Sequence, residues 1–170
     1  MKKALLLLAS VLAVHTVNAQ NAEQTAKGKW LIETNTAFGN HLLLGSETGF
    51  RLTTVDGETI WNLGAETGYF IIDNLAVKVG LGYGDFGTEI FSYKLGLKYY
   101  IIGKIPVAAD LNGMSGEGFK PMFAGLQGGF AVFLGEMVSI EPGIRYNFDI
   151  NDDAEGSDGL QINVGFVLHF

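Results

Sequence analysis

The chain ends in Gly159-Leu-Gln-Ile-Asn-Val-Gly-Phe-Val-Leu-His-Phe170, a stretch in which apolar and polar residues alternate. One face would carry the apolar residues Leu160, Ile162, Val164, Phe166, Leu168 and Phe170. The other face would carry Gln161, Asn163, Gly165 and His169, with Val167 as its single apolar member. Because successive side chains of a strand point to opposite faces, this pattern predicts a strand that lies between two different media.

Seven segments upstream show the same period of two, at residues 30–38, 60–71, 75–83, 91–101, 105–111, 122–134 and 138–148. Tight turns are predicted at Asp73-Asn74, Gly103-Lys104 and Gly135-Glu136. Longer polar, Gly-rich links are predicted at residues 39–59, 84–89, 112–120 and 149–158. Short turns that alternate with long loops, together with an even number of strands, are typical of outer-membrane barrels. Pro142 would lie on an apolar face, where we expect a bulge because proline lacks a ladder donor.

The N-terminus has the features of an export signal. Lys2 and Lys3 precede an apolar run from Ala4 to Val14, and Val17-Asn18-Ala19 supplies small residues at a cleavage site. The run is shorter than the roughly 20 residues that a spanning helix needs. We therefore predict a signal peptide at residues 1–19, cleaved after Ala19, and a short periplasmic leader at residues 20–28.

Composition narrows the class of protein. The chain contains no Cys, which excludes a disulfide framework, a thiolate metal site and a lipoprotein anchor. The net charge of −7 argues against nucleic acid as a partner. Without a helix of spanning length, a membrane protein must be a closed barrel, since only closure satisfies every backbone group in lipid. We predict an all-β, eight-stranded antiparallel up-and-down transmembrane β-barrel at residues 29–170.

Two segments carry a family resemblance. In the first, Gly68-Tyr69-Phe70 leads through the turn Asp73-Asn74 to Gly80-Leu81-Gly82-Tyr83, and the second is Tyr99-Tyr100-Ile101-Ile102-Gly103-Lys104. They resemble the porin-family outer-membrane β-barrel domain. The resemblance implies a small monomeric barrel in a Gram-negative outer membrane, in contact with its lipids and lipopolysaccharide, but it implies no activity. The last strand also resembles terminal strands that the barrel assembly machinery recognises, which makes Phe170 a candidate assembly signal.

Aromatic residues cluster near the ends of the predicted strands, which favours two interfacial girdles over an aromatic core. The girdle on the turn side would comprise Trp30, Tyr69, Tyr99, Phe133 and Phe170. The girdle on the loop side would comprise Phe38, Trp61, Tyr83, Phe91, Tyr93 and Phe148.

If the apolar faces meet lipid, the charged residues of the opposite faces line the lumen: Glu33, Glu66, Lys78, Lys94, Lys98, Glu141 and Arg145, with Asp110 expected beside them. Eight strands leave just enough room for side chains, so these charges should pair. We expect Glu141 to meet one of the three lysines, and Glu33 to meet Arg145. The favoured interpretation is a plugged lumen whose ion pairs hold the wall together. The alternative is a narrow pore or a gate.

The sequence offers only weaker candidates for a metal site, for catalysis and for binding of an apolar ligand. Asp149, Asn151 and Asp153 imitate the opening of a calcium loop, but Ala154 and Leu160 occupy positions that need Gly and Glu, so a solvated acidic loop is favoured. For catalysis, only His41 would lie on the outer side, near Ser46 and Glu47 in a long loop. We therefore expect no enzyme, cofactor or metal. A soluble lipocalin-like binder of an apolar ligand is a further alternative, and it would turn the apolar faces inward.

Overall fold

The computed structural model of the protein describes residues 21–38, 48–55, 58–85 and 87–170. The predicted signal peptide and cleavage site lie outside these ranges, and so do His41, Ser46 and Glu47. The single described α-helix is a four-residue turn, α1 (Asn21–Gln24). None of the described helices is long and apolar enough to cross a membrane.

Ten strands account for most of the described chain. They are β1 (Trp30–Phe38), β2 (Phe50–Val55), β3 (Glu58–Ile72), β4 (Leu75–Asp85), β5 (Glu89–Ile101), β6 (Ile105–Ser115), β7 (Met122–Gly129), β8 (Val132–Phe133), β9 (Val138–Asp149) and β10 (Gly159–His169). A 3₁₀ turn at Asp152–Ala154 lies in the last loop.

The sheet closes on itself. Every pairing between strands is antiparallel, in the order β1-β10-β9-β7-β6-β5-β4-β3, and β1 pairs with β3 through Trp30 to Glu33. β8 continues the path of β7 against β9, so the two count as one strand of the barrel wall. Together with β1, β3, β4, β5, β6, β9 and β10 they make eight strand positions around the barrel, which are called staves below. The predicted eight-stranded antiparallel barrel is confirmed. Its tight turns define one end, called the turn end below, and its long links define the loop end.

The pleat places apolar side chains outside. Val79, Leu81 and Leu95 are 50, 58 and 58 % exposed, whereas their neighbours Lys78 and Lys94 are each 5 % exposed. A soluble binder of an apolar ligand needs the opposite arrangement, with its apolar faces inside. The structure therefore argues against the lipocalin-like alternative.

The link predicted for residues 39–59 was wrong in part, because it contains β2. This strand pairs with the first part of β3, from Phe50 with Leu63 to Val55 with Glu58. Phe50 and Leu52 are 55 and 64 % exposed, in one row with the outward-facing Leu63 and Trp61. A polar, Gly-rich sequence context obscured this short strand, whose outward face continues the apolar wall.

The bulge expected at Pro142 was also wrong. Gly129 pairs with Gly143 and Val132 with Ile140, so the register is the same on the two sides of Pro142. Proline has no N–H to donate to the facing strand, and the ladder is interrupted there, which separates β7 from β8. The N–H of Ala131 bonds instead to the carbonyl of Lys104 at 2.7 Å.

Eight of the predicted girdle residues are exposed, and Tyr93 is half-buried. Trp30 and Tyr69 lie together at the turn end, with ring centroids 5.0 Å apart, and Trp61 and Tyr83 lie together at the loop end at 6.0 Å. Phe133 was assigned wrongly: its ring packs against His169 at 5.4 Å, on the inner side of the wall. Phe133 is the second residue of the two-residue strand β8, which follows the ladder gap, and alternation is a weaker guide there.

The outward face makes a direct prediction for Val79, which is near the middle of β4 and pairs with Thr67 and Leu95. Val79→Arg should lower the free energy of unfolding in lipid bilayers by roughly 2–4 kcal/mol, because a cation then faces hydrocarbon. Val79→Leu is the control and should change it by less than about 1 kcal/mol. Reversible urea unfolding in vesicles gives both values. Equal stability of the arginine variant and wild type would refute the assignment of faces.

Candidate functional site in the barrel lumen

The lumen is filled by three layers of side chains. At the turn end, an apolar layer is formed by Leu31, Phe70, Ala76, Tyr100, Ala131 and Val167. A middle layer contains charged residues, and a smaller apolar layer at the loop end consists of Ile90, Met114, Phe123 and Ala154. All ten apolar residues are at most 6 % exposed. Charges of the middle layer are thus separated from solvent at both ends by apolar side chains.

Six charges of the middle layer form one alternating chain. Lys98 Nζ lies 2.6 Å from Glu141 and 2.8 Å from Glu33, and Lys78 Nζ lies 2.6 Å from both Glu33 and Glu66. Lys94 Nζ completes the chain at 2.5 Å from Glu66. Each interior member of the chain therefore has two partners of opposite sign. The six residues come from five different strands. This arrangement is what a buried charge requires, because an unpaired one is costly.

The remaining two charges form a separate pair. Arg145 Nη1 and Nη2 donate to the two carboxylate oxygens of Asp110 at 2.7 and 2.6 Å. The expected pairing of Arg145 with Glu33 was therefore wrong. In the strand register, Glu33 lies opposite Glu66 near the turn end of β1. Arg145 lies opposite Gln161, nearer the loop end of β9. Asp110 is two staves away across β7 at the height of Arg145, and a bidentate contact suits guanidinium geometry.

Gly125 makes the Arg145–Asp110 pair possible. It lies on β7 between the strands of the two partners, and it pairs with both Asp110 and Asn147. A Cβ atom at this position would overlap Nη2 of Arg145 and lie 2.9 Å from Oδ1 of Asp110. The guanidinium therefore lies directly against the backbone of Gly125 on the inner face of the sheet. Nothing in the spacing of the sequence identifies the side chain that lies over Gly125.

Tyr100 links the turn-end apolar layer to the charges. Its ring packs against Phe70, with centroids 6.0 Å apart, and its hydroxyl donates to Glu141 at 2.8 Å. Lys98 Nζ lies 5.3 Å from the centre of the same ring. A buried tyrosine normally needs such a polar partner. The contact joins the two layers into a single packed unit.

A Ser–His contact near the turn end does not form a hydrolase dyad. Ser139 Oγ lies 3.0 Å from His169 Nε2, but it also donates to Glu141 at 2.9 Å. A hydroxyl has one proton, so the imidazole must donate to Ser139 rather than accept from it. Ser139 is 0 % exposed, so no substrate reaches its oxygen. The geometry opposes nucleophilic catalysis here.

The described part of the predicted leader, residues 21–28, lies across the turn end of the barrel. Gln24 Nε2 donates to the carbonyl of Gly135 at 2.6 Å, and Thr25 Oγ1 donates to Asn74 Oδ1 at 2.6 Å. These bonds connect the leader to two different tight turns, and both side chains are buried at 5 and 0 % exposure. The leader therefore covers the turn-end mouth, a contact that its polar, aperiodic sequence did not indicate.

The acidic last loop uses its side chains to hold backbone. Asp153 and Asn151 accept from the N–H groups of Lys120 and Met122, each at 2.8 Å, and Asp149 accepts from that of Gly156 at 2.9 Å. These bonds place Ala154 in the loop-end apolar layer. Among the described residues, no group of three or more His, Asp or Glu side chains is arranged to hold a metal ion.

Phe170 lies at the turn end of the seam between β1 and β10. It exchanges two backbone hydrogen bonds with Trp30, at 2.7 and 3.0 Å, and its side chain is 48 % exposed. The ring is thus part of the outward girdle and makes no contribution to the lumen layers.

Comparison with known proteins supports the architecture. No protein-family model matches this sequence, and no curated protein matches it. The structure is similar to the N-terminal β-barrel domain of Pseudomonas aeruginosa OprF, with a TM-score of 0.57 and 12 % identity over 85 % of this chain and 98 % of that one. It is also similar to Neisserial surface protein A (NspA), with a TM-score of 0.50 and 14 % identity over 85 % and 98 %. At these identities the likeness shows the fold, and the narrower porin-family resemblance stays a prediction.

The close passage of Arg145 over β7 predicts the effect of Gly125→Ala. The added methyl group displaces the guanidinium and breaks a buried ion pair, so the free energy of unfolding should fall by about 3–5 kcal/mol. Gly128→Ala is a matched control on the same strand, since no atom lies within 4 Å of a Cβ there. It should be neutral or stabilising by about 0.5–1 kcal/mol. Urea unfolding in vesicles distinguishes these outcomes, and equal effects of the two substitutions would contradict the site geometry.

The alternating chain also predicts an order of sensitivity. In Glu141→Gln, Lys98 keeps Glu33 at 2.8 Å. In Glu66→Gln, Lys94 loses the one carboxylate that lies within ion-pair distance of it among the described residues. The second variant should therefore lose more stability than the first, by about 1–3 kcal/mol. The difference in urea midpoints of the two isosteric variants measures this order, and the reverse order would refute it.

Proposed function

We propose that this chain is an integral outer-membrane β-barrel whose lumen is closed, and that it serves a structural or surface-interaction role through its loop end. The observation that carries the proposal is the middle layer of the lumen. It holds four acidic and four basic side chains in direct pairs, between two apolar layers. A passive pore needs a continuous polar path, and these layers interrupt one.

The location in the outer membrane is supported by the outward apolar face, the exposed aromatic pairs at both ends and the likeness to outer-membrane barrels. In this orientation the turn end faces the periplasm and the loop end faces the exterior. Outer-membrane lipids and lipopolysaccharide would then surround the wall as its partners. A signal peptide cleaved after Ala19 would direct export, and the chain would act as a monomer without enzymatic activity, cofactor or metal.

The proposed role of Phe170 is recognition of the last strand by the barrel assembly machinery. Its ring is exposed at the turn end, and its backbone bonds close the seam with Trp30. Both properties suit a residue that the assembly machinery recognises before the barrel closes and that is held in the seam after closure.

The competing interpretation of the same fold is a narrow passive pore, and conductance in planar bilayers separates the two. The wild-type protein should show little current, because the apolar layers and paired charges leave no continuous water path. Glu66→Gln should increase the frequency of openings, since it releases Lys94 from its partner. Steady ohmic channels from the wild type would overturn the closed-lumen proposal. A folded, heat-modifiable band on gel electrophoresis for each preparation shows that the barrel itself is intact.

A further inference from the structure

The chain enters the lumen just before β2. Thr48 is 0 % exposed, and its Oγ1 donates to Glu66 Oε1 at 2.7 Å. In the strand register, Glu66 lies opposite Glu33, where β1 and β3 close the barrel. Phe38, at the loop end of β1, is five residues beyond Glu33. Five residues of a strand span about 16 Å. Thr48 therefore reaches deep into the barrel, although it belongs to the link between the first two staves.

Two glycines make room for this entry, Gly80 in the wall and Gly49 in the entering segment itself. A Cβ at Gly80 would lie 2.9 Å from Cγ2 of Thr48 and 2.9 Å from Cγ of Glu66, so the missing side chain leaves the space that Thr48 occupies. A Cβ at Gly49 would overlap the backbone carbonyl of Asn35, with which Gly49 forms a parallel bridge. A side chain at Gly49 would exclude the observed path of the chain, whereas one at Gly80 would compete for space with the side chain of residue 48.

A buried side chain holds the same segment from the opposite strand. Asn62 Nδ2, on β3, donates to the carbonyl of Gly49 at 2.9 Å. Together with the Thr48–Glu66 bond and the Asn35–Gly49 bridge, this bond fixes residues 48 and 49 to both β1 and β3. A link on the protein surface would not need these three specific contacts with buried groups.

Glu66 is the junction at which this segment meets the ion pairs. Its two carboxylate oxygens receive Lys78 and Lys94, and Oε1 also accepts from Thr48 and from Asn35 Nδ2 at 3.3 Å. The position of Thr48 is consequently coupled to the end of the alternating chain that lies toward the loop end.

We propose that Thr48 is a latch that couples the first long link of the barrel to the lumen network. When an outward pull on β2 withdraws Thr48, Glu66 loses a donor and the space over Gly80 fills with water. Glu66 then holds Lys78 and Lys94 less firmly, and the lumen opens. This inference rests on the closed lumen proposed above and adds the element through which an event at the cell surface is transmitted inward.

The absence of Cys from the chain makes a direct test possible. In proteoliposomes, Thr48→Cys should react with a membrane-impermeant maleimide at least about tenfold more slowly than Thr54→Cys, because its sulfur is reached only after withdrawal. Thr54 is the matched control, since it is an exposed residue of β2 whose hydroxyl lies 3.4 Å from that of Thr59 at the strand tip. Equal labelling rates would overturn the latch, whatever the conductance of the protein.

Substitutions test the hydrogen bond separately. Thr48→Val keeps the shape but removes the donor to a charged group, so openings in planar bilayers should become about tenfold more frequent. Thr48→Ser retains the hydroxyl and should behave as wild type, and Thr54→Val should have no effect. Equal opening frequencies in the Thr48→Val and Thr54→Val variants would overturn the proposal, and so would a Thr48→Ser variant as active as Thr48→Val.

A reversible crosslink completes the test. The Cβ position at residue 80 lies 3.2 Å from Cβ of Thr48, close to the separation of about 3.5–4.5 Å in disulfides. Oxidation of the double variant Thr48→Cys, Gly80→Cys should suppress openings, and reduction should restore them on the same molecules. The control pair Thr54→Cys, Thr59→Cys locks only the hairpin tip and should not change with redox state. Openings that persist in the oxidised variant would refute the latch. Steady current in the wild type would instead refute the closed lumen, while the labelling rates still decide the position of Thr48.

Discussion

Pairing of charge inside a narrow barrel is the constraint on which the rest of this structure depends. Eight strands enclose a lumen that side chains just fill, so every lysine and carboxylate within it must find a partner at a fixed height. The alternating chain from Glu141 to Lys94 satisfies this requirement by sharing each interior charge between two neighbours. The network consequently joins strands that are far apart in the sheet and stabilises the closed wall across its diameter.

Small residues and apolar layers are arranged around that network. Gly125 and Gly80 are inward positions at which a side chain would occupy the volume of Arg145 or Thr48. The apolar layer under the network includes Tyr100, whose hydroxyl joins it to Glu141. Because charge, glycine and apolar positions are interlocked in this way, a change in one layer alters the packing of the next.

The seam between β1 and β3 shows how backbone groups are satisfied where the regular ladder ends. Direct pairing of the two strands extends only from Trp30 to Glu33, and β2 takes over the pairing with β3 nearer the loop end. Thr34 Oγ1 donates to the carbonyl of Gly64 at 3.2 Å, and Thr67 Oγ1 donates to that of Leu31 at 3.3 Å. Hydroxyls on the outer face thus supply hydrogen bonds that lipid does not offer.

The sequence by itself determined the barrel, the direction of its faces and the number of its staves. A period of two is a local property, and the longer strands record it independently, as the exposed Leu81 and buried Lys78 of β4 illustrate. Turn residues such as Asp73 and Asn74 determine chain reversal locally as well, since Asn74 readily takes its observed φ of 66°. Weaker local signals failed where tertiary context competes, at β2, at Phe133 and at the ladder gap opposite Pro142.

Only the tertiary structure decided which charges meet. Alternation gives the face of a residue, but the partner of Arg145 depends on its height along the barrel and on the position of Gly125 beneath it, both of which follow from strand register. The same holds for Thr48, which lies in a link by sequence and in the lumen by structure, and for the leader, whose buried Thr25 has no periodic pattern around it. Register and closure are collective properties of all eight staves, so no single segment of the sequence contains them.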